Sequence, residues 1–175
     1  MKCTILIGYM CVGKTTVGRE LAQRTNRMFY DLDWYIEVRY HKSIRQIFAE
    51  DGEAHFRELE RRMLHEVAEF ENVVLSCGGG TPCFFDNMEY MNSVADTFYL
   101  QASPETLLEH IRLSRGHRPL LEGKSPEELD TYIREQLKQR TPFYEKAQHI
   151  IPVNPLYSQD KINMLVDEIL NTELN

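Results

Sequence analysis

Residues 8–15 read Gly-Tyr-Met-Cys-Val-Gly-Lys-Thr, and few stretches of this length limit a fold so tightly. The pattern is a glycine, four residues, then Gly-Lys-Thr. Residues 3–7 before it form a short apolar run of the kind a buried strand shows. After it, Val17, Leu21 and Ala22 recur on one helical face across residues 14–24. Strand, glycine loop and helix together form a phosphate cradle. Gly8 and Gly13 let the backbone turn its N–H groups toward phosphate oxygens. The helix start adds the positive end of its dipole. Lys14 reaches the β- and γ-phosphates, and the Thr15 hydroxyl suits a Mg²⁺ ion. The segment predicts binding of a nucleoside triphosphate and transfer of its terminal phosphoryl group.

The rest of the chain alternates in the same way. Strands are expected at residues 28–30, 73–77, 97–100 and 150–153. Ser43-Ile44-Arg45-Gln46 reads as a capping box that opens a short helix through Phe48. Leu59, Met63, Val67 and Phe70 then mark a helix over 53–70. Ser103-Pro104-Glu105 and Ser125-Pro126-Glu127 open two more, the second ending near Arg140, where Pro142 stops or restarts it. Ile162, Leu165, Val166 and Ile169 mark a final helix. This alternation predicts an α/β fold with a parallel sheet covered by helices. At 175 residues the chain suits one three-layer domain, residues 1–175.

A formal net charge of −7 argues against nucleic acid or anionic lipid as a large partner. The apolar run at the start is too short for a signal peptide, and no run approaches a membrane span, so a cytoplasmic protein is expected. Cys3, Cys11, Cys77 and Cys83 include no Cys-x-x-Cys pair and read as free thiols of a reducing compartment. Under the acidic average lies a local basic cluster, Arg112, Arg115, His117 and Arg118, in a polar, glycine-bearing and proline-broken segment. It reads as a mobile lid over about 112–124. An arginine there can stabilise the transferring phosphate while water is excluded.

Two acids follow the second strand, Asp31 and Asp33. Strand alternation would put both on one side, with Leu32 opposite. One can organise hydrated Mg²⁺ while the other accepts a hydrogen bond from a substrate hydroxyl, a division suited to phosphoryl transfer to an alcohol. Arg57, on a helix among Glu53, Glu58 and Glu60, and Arg140, at a helix end before a proline, are further arginines that could complete the site.

In this order, the loop at 8–15, Asp31-Leu32-Asp33, Phe-Ala-Glu-Asp-Gly-Glu-Ala-His-Phe-Arg at 48–57, Gly78-Gly79-Gly80, Arg118-Pro119-Leu120-Leu121 and Arg140-Thr141-Pro142-Phe143-Tyr144 resemble the shikimate kinases over nearly the whole chain. The resemblance implies a P-loop kinase with a five-stranded parallel sheet of order 2-3-1-4-5, in an α/β/α sandwich. It implies a transferase that moves the γ-phosphoryl group of ATP to the 3-hydroxyl of shikimate, a step of aromatic amino-acid biosynthesis, with Mg²⁺ as cofactor. Cys11, Val12, Gly13, Lys14, Thr15 and Thr16 would hold ATP, with Arg118 on its phosphates and Arg112 or Arg115 on adenine. Asp33 would bind the shikimate hydroxyls as the orienting acid or base. Arg57 and Arg140 would grip the carboxylate, and Gly79 would offer its N–H. The acceptor-binding region would span about 33–62. Thr15 would ligate Mg²⁺, and Asp31 would contact it through water. The partners would be shikimate and ATP, and the chain a monomer. Cys11 departs from the glycine common in the family. An ordinary negative φ is expected there, with the thiol near the phosphates. A gluconate or nucleotide kinase of the same architecture and a nucleotide-binding regulator without transfer activity are the competing expectations.

Overall fold

The computed structural model describes residues 3–113, 125–156 and 158–173. Its strands are β1 (Cys3–Ile7), β2 (Met28–Asp31), β3 (Val73–Ser76), β4 (Ala95–Gln101) and β5 (His149–Pro152). They form one five-stranded sheet in the order β2-β3-β1-β4-β5, every pairing parallel, as the resemblance implied. Burial explains which runs stand out in the sequence. β1 and β3 are buried at every position, whereas the edge strands β2 and β5 are partly exposed. A strand covered on both faces has no wet side, so continuous apolar residues replace alternation. Ile5, Leu6 and Ile7 are fully buried, each contributing roughly 1.5–3 kcal/mol relative to exposure.

The helices are α1 (Lys14–Thr25), α2 (Leu32–Tyr40), α3 (Ile44–Ala68), α4 (Asn87–Val94), α5 (Pro104–Leu113), α6 (Pro126–Tyr144) and α7 (Gln159–Glu173). α1 packs on β2 and β3 and against α7, while α3 and α4 meet over β3 and β4. Arg27, 8% exposed, clasps α7 to the sheet: it donates to Thr4 Oγ1 at 2.6 Å and to Glu173 Oε2 at 3.1 Å. No helix among the described residues is long and apolar enough to cross a membrane.

Four local points differ from the sequence reading. Residues 32 and 33 do not continue a strand. Asp31 ends β2 and caps α2, its side chain accepting from Trp34 N, and Asp33 lies in the first helical turn. Leu32 and Ile36 are fully buried one turn apart, and that pair anchors the helix. Second, the capping box at Ser43 forms, but its helix does not stop at Phe48. It runs to Ala68, with only Gly52 non-helical, at φ 82 and ψ 170, a region open essentially to glycine alone. The bend lets Phe48 stack on Phe56, with ring centres 4.6 Å apart. Third, α4, eight residues long, is not among the expected helices. Fourth, α6 continues through Pro142. The ring removes one backbone donor, but Tyr144 fixes the last turn: it is fully buried, packs on Tyr99 and donates to the Gly79 carbonyl at 2.5 Å.

Parallel strands bring their carboxyl ends to one edge. Leu6 of β1 pairs with Ser76 of β3, and Ser76 pairs with Asp31 of β2. The segments that follow those three residues are the glycine loop, the Asp31/Asp33 turn and the Gly78–Gly80 run. In open α/β sheets this edge is where ligands bind.

Candidate active site

The glycine loop leaves β1 through a close approach that only glycine allows. Gly8 has φ 140, and a methyl group on it would stand 2.7 Å from the Leu100 carbonyl oxygen. Gly13 (φ 108) then opens α1, and no described side chain caps that helix start or places an acid in its first turn. Its leading N–H groups keep their donors for an anion. Lys14, 8% exposed, curls back and donates to the Gly8 and Tyr9 carbonyls, both at 2.9 Å. Burial lowers its pKa to about 8, against the opposing pull of the Asp33 carboxylate.

Cys11 corrects an expectation: its φ is 67, in the left-handed region. That conformation costs a cysteine about 1–2 kcal/mol. Position 11 is where the loop must turn, so the glycine common in the family is the unstrained solution and cysteine the strained one.

Lys14, Thr15, Thr16, Gly13 and Cys11 line a cavity of about 510 Å³. Val12 is fully buried in the core, so it can serve a ligand only through its backbone. Thr15 Oγ1 donates to Asp31 Oδ2 at 2.9 Å, which brings the two expected metal residues together. Arg112 stands on the exposed last turn of α5, next to Leu113, which lines the same cavity. Arg115, His117, Arg118 and residues 114–124 of the expected lid lie outside the described residues.

A second cavity, about 770 Å³, adjoins the first, and Met10, Asp31, Asp33, Gly78 and Gly79 line both. Arg57 and Arg140 both line this second cavity. Arg57 lies over the Phe84 ring at 4.0 Å and donates to Glu60 Oε2 at 2.8 Å. Glu60, 1% exposed, also accepts from Thr81 Oγ1 at 2.6 Å. Arg140 sits over the Tyr9 ring at 5.6 Å. Phe48, Phe56 and Ile44 supply an apolar wall, and Trp34, 60% exposed, stands on the rim.

The triple glycine has a steric explanation. A methyl group on Gly78 would lie 2.9 Å from Asp33 Oδ1, and one on Gly80 would lie 2.8 Å from the Arg57 guanidinium. A methyl group on Gly79 would stand 3.3 Å from Met10 N, a tight fit against the glycine loop, and 3.4 Å from the Arg140 guanidinium. Gly78 and Gly80 keep space clear for charged side chains brought in from α2 and α3.

Asp33 stands where the cavities meet. Burial first, then the neighbouring Glu60 and Asp31 carboxylates, raise its pKa to about 7, while the Lys14 ammonium opposes the rise. A carboxylate so poised can accept a proton near neutral pH. Residues of this site that the sequence reading did not single out include Glu60, which braces Arg57, Trp34, and Met10 between the cavities. Glu60 could have been found from its i+3 spacing to Arg57 on one helix.

Comparison with known proteins agrees with this geometry. A shikimate kinase family model matches residues 10–172. The shikimate kinase of Phocaeicola vulgatus is 54% identical over 94% of each chain, and that of Parabacteroides distasonis 51% identical over 97% of this chain and 98% of its own. The crystal structure of Bacteroides thetaiotaomicron shikimate kinase superposes with a TM-score of 0.96 at 47% identity, covering 99% of both chains. An Acinetobacter baumannii shikimate kinase solved in complex with shikimate gives 0.85 at 33% identity over 100% of this chain and 96% of its own. With the family model spanning nearly the whole chain and relatives above half identity, this protein belongs to the shikimate kinase family.

Proposed function

We propose that this chain transfers the γ-phosphoryl group of ATP to the 3-hydroxyl of shikimate, giving shikimate 3-phosphate and ADP. The observation that carries the reading is the placement of Asp33 at the junction of a phosphate cradle and an arginine-lined cavity. ATP takes the first cavity, with its phosphates on the N–H groups of residues 11–16 and on Lys14. Shikimate takes the second, its carboxylate gripped by Arg57 and Arg140, whose guanidinium forks match a carboxylate. Asp33 accepts the hydrogen bond of the attacking hydroxyl and takes its proton as the bond to phosphorus forms. Gly79 N–H holds a second polar group of the ring. Glu60 keeps the Arg57 fork aimed. Arg118 on the phosphates and Arg112 or Arg115 on adenine rest on motif match.

The oxygen donors of Thr15 and Asp31, 2.9 Å apart, fit Mg²⁺, which prefers hard oxygen ligands completed by phosphate and water. When bound, the ion neutralises developing charge on the phosphates. The protein's own part is positioning: reacting groups held in line and water kept from the phosphate. The reading carries with it a single working domain over residues 1–175, a monomer, and a cytoplasmic enzyme of aromatic amino-acid biosynthesis.

The test is ADP release measured separately with shikimate, gluconate and nucleoside monophosphates. Turnover dependent on shikimate is expected. Turnover with gluconate and none with shikimate would overturn the acceptor assignment, and ATP binding with no acceptor turnover would overturn the activity.

A further inference from the structure

His110 belongs to no motif of the sequence reading, yet it ties the wall of the nucleotide cavity together. From α5 its Nδ1 lies 2.9 Å from the Cys11 carbonyl oxygen, and Leu156 N–H donates to its Nε2 at 2.9 Å. A backbone amide can only donate, so Nε2 is the acceptor of a neutral ring and the proton sits on Nδ1, which donates to Cys11. The first bond reaches the turn that makes the phosphate cradle, and the second holds the backbone of a residue packed on it. Cys11 is left-handed at φ 67 and Gly13 at φ 108. Leu156 presses on that glycine so closely that a methyl group there would stand 2.7 Å from Leu156 Cδ1. One imidazole therefore holds Cys11 directly and, through Leu156, holds the side chain that covers Gly13. His110 and Leu156 themselves line the cavity.

We propose that His110 is a positioning residue for the nucleotide: its Nδ1-protonated ring keeps the loop between Cys11 and Gly13 in the turn whose N–H groups face the phosphates. The inference rests on the reading of this cavity as the ATP site. A left-handed cysteine is disfavoured on its own and persists only where its surroundings over-determine it. His110 supplies such a contact from outside the loop. Without it the loop would spend less time in the competent turn, and apparent ATP affinity would fall in proportion to the lost population. The acceptor cavity, which His110 does not line, would be unaffected.

The test compares full-length wild type, His110→Phe and His110→Asn. Phenylalanine keeps a ring and removes both hydrogen bonds. Asparagine keeps a donor within reach of the Cys11 carbonyl and loses Leu156. MgATP affinity is measured by calorimetry, and the KM of each substrate by steady-state kinetics. In His110→Phe, MgATP affinity should fall about tenfold, the loss expected from two buried hydrogen bonds, with the KM for shikimate moving less than about twofold and His110→Asn recovering most of the loss. Nitrogen-15 spectra of the wild-type ring should show a neutral imidazole protonated on Nδ1. His110→Phe binding MgATP like wild type, or both KM values rising together with no recovery in His110→Asn, overturns the role. If wild type binds MgATP but does not phosphorylate shikimate, and His110→Phe still weakens MgATP, the activity assignment fails and the positioning role stands.

Discussion

The two cavities meet at Asp33 but are built by opposite means. The nucleotide side is mostly backbone from one contiguous stretch: two glycines, a left-handed cysteine, an uncapped helix start and one buried lysine. The acceptor side is made of side chains from scattered segments: Asp33 from α2, Arg57 and Glu60 from α3, and Arg140 from α6, set over the glycines that follow β3. A phosphate chain is the same in every nucleotide, so a backbone cradle serves it. A carboxylated ring with several hydroxyls needs individual charges at individual places, and those come from wherever the fold can bring them.

That contrast predicts which ligand each substitution affects. The largest effect belongs to the junction. Asp33→Asn should cut turnover by about 10²–10⁴-fold, the range for loss of a positioned acid–base group, and leave ATP affinity within about twofold. A fall of less than about tenfold would refute the role given to Asp33. Lys14→Met, wholly on the nucleotide side, should instead weaken ATP binding and turnover together, as direct ATP titration would show. Gly80→Ala should push the Arg57 fork aside and raise the KM for shikimate about tenfold, the cost of one charged hydrogen bond, with the KM for ATP unchanged. Equal rises in both KM values would erase the division between the halves.

Asp33 also sets a pH dependence. Its carboxyl is raised from 3.8 to about 7, so kcat/KM for shikimate should fall as pH drops below about 7, because the base is then protonated in the free enzyme. The stability sign runs the other way. From about pH 4 to 7 the folded protein keeps a proton that the unfolded chain has released, so stability falls as pH rises through that window. Asp33→Asn, which never ionises, should melt higher than wild type at pH 8 by roughly 2–6 °C, the gap closing toward pH 4. A variant that melts lower at pH 8 would show that the raised pKa costs the fold nothing.

The same contrast decided what the sequence made legible. The nucleotide half is local, so Gly8, Gly13, Lys14 and Thr15 could be read with their roles from spacing alone. The central strands were readable because two-sided burial makes them continuously apolar. The pairing of Arg57 with Arg140 was visible only through family resemblance, since nothing local links the two. α2 was missed because Trp34, Tyr35, Val38 and Tyr40 surround Leu32 and Ile36 and blur the helical period. Pro142 misled because the anchor that overrides it, Tyr144 against Tyr99 and Gly79, is tertiary. Cys11 misled because a side chain's aversion to positive φ was weighed without the outside contact, from His110, that the folded loop receives.

Trp34 is the chain's single tryptophan, and it stands 60% exposed on the rim of the acceptor cavity while lining no part of the nucleotide cavity described here. All indole emission from this protein therefore originates at one mouth of a two-mouthed site. Acceptor binding should change the emission of that ring and nucleotide alone should leave it unchanged, which titration with each substrate would check. The order in which the two substrates load can be followed in real time by native fluorescence, without any label attached to the enzyme.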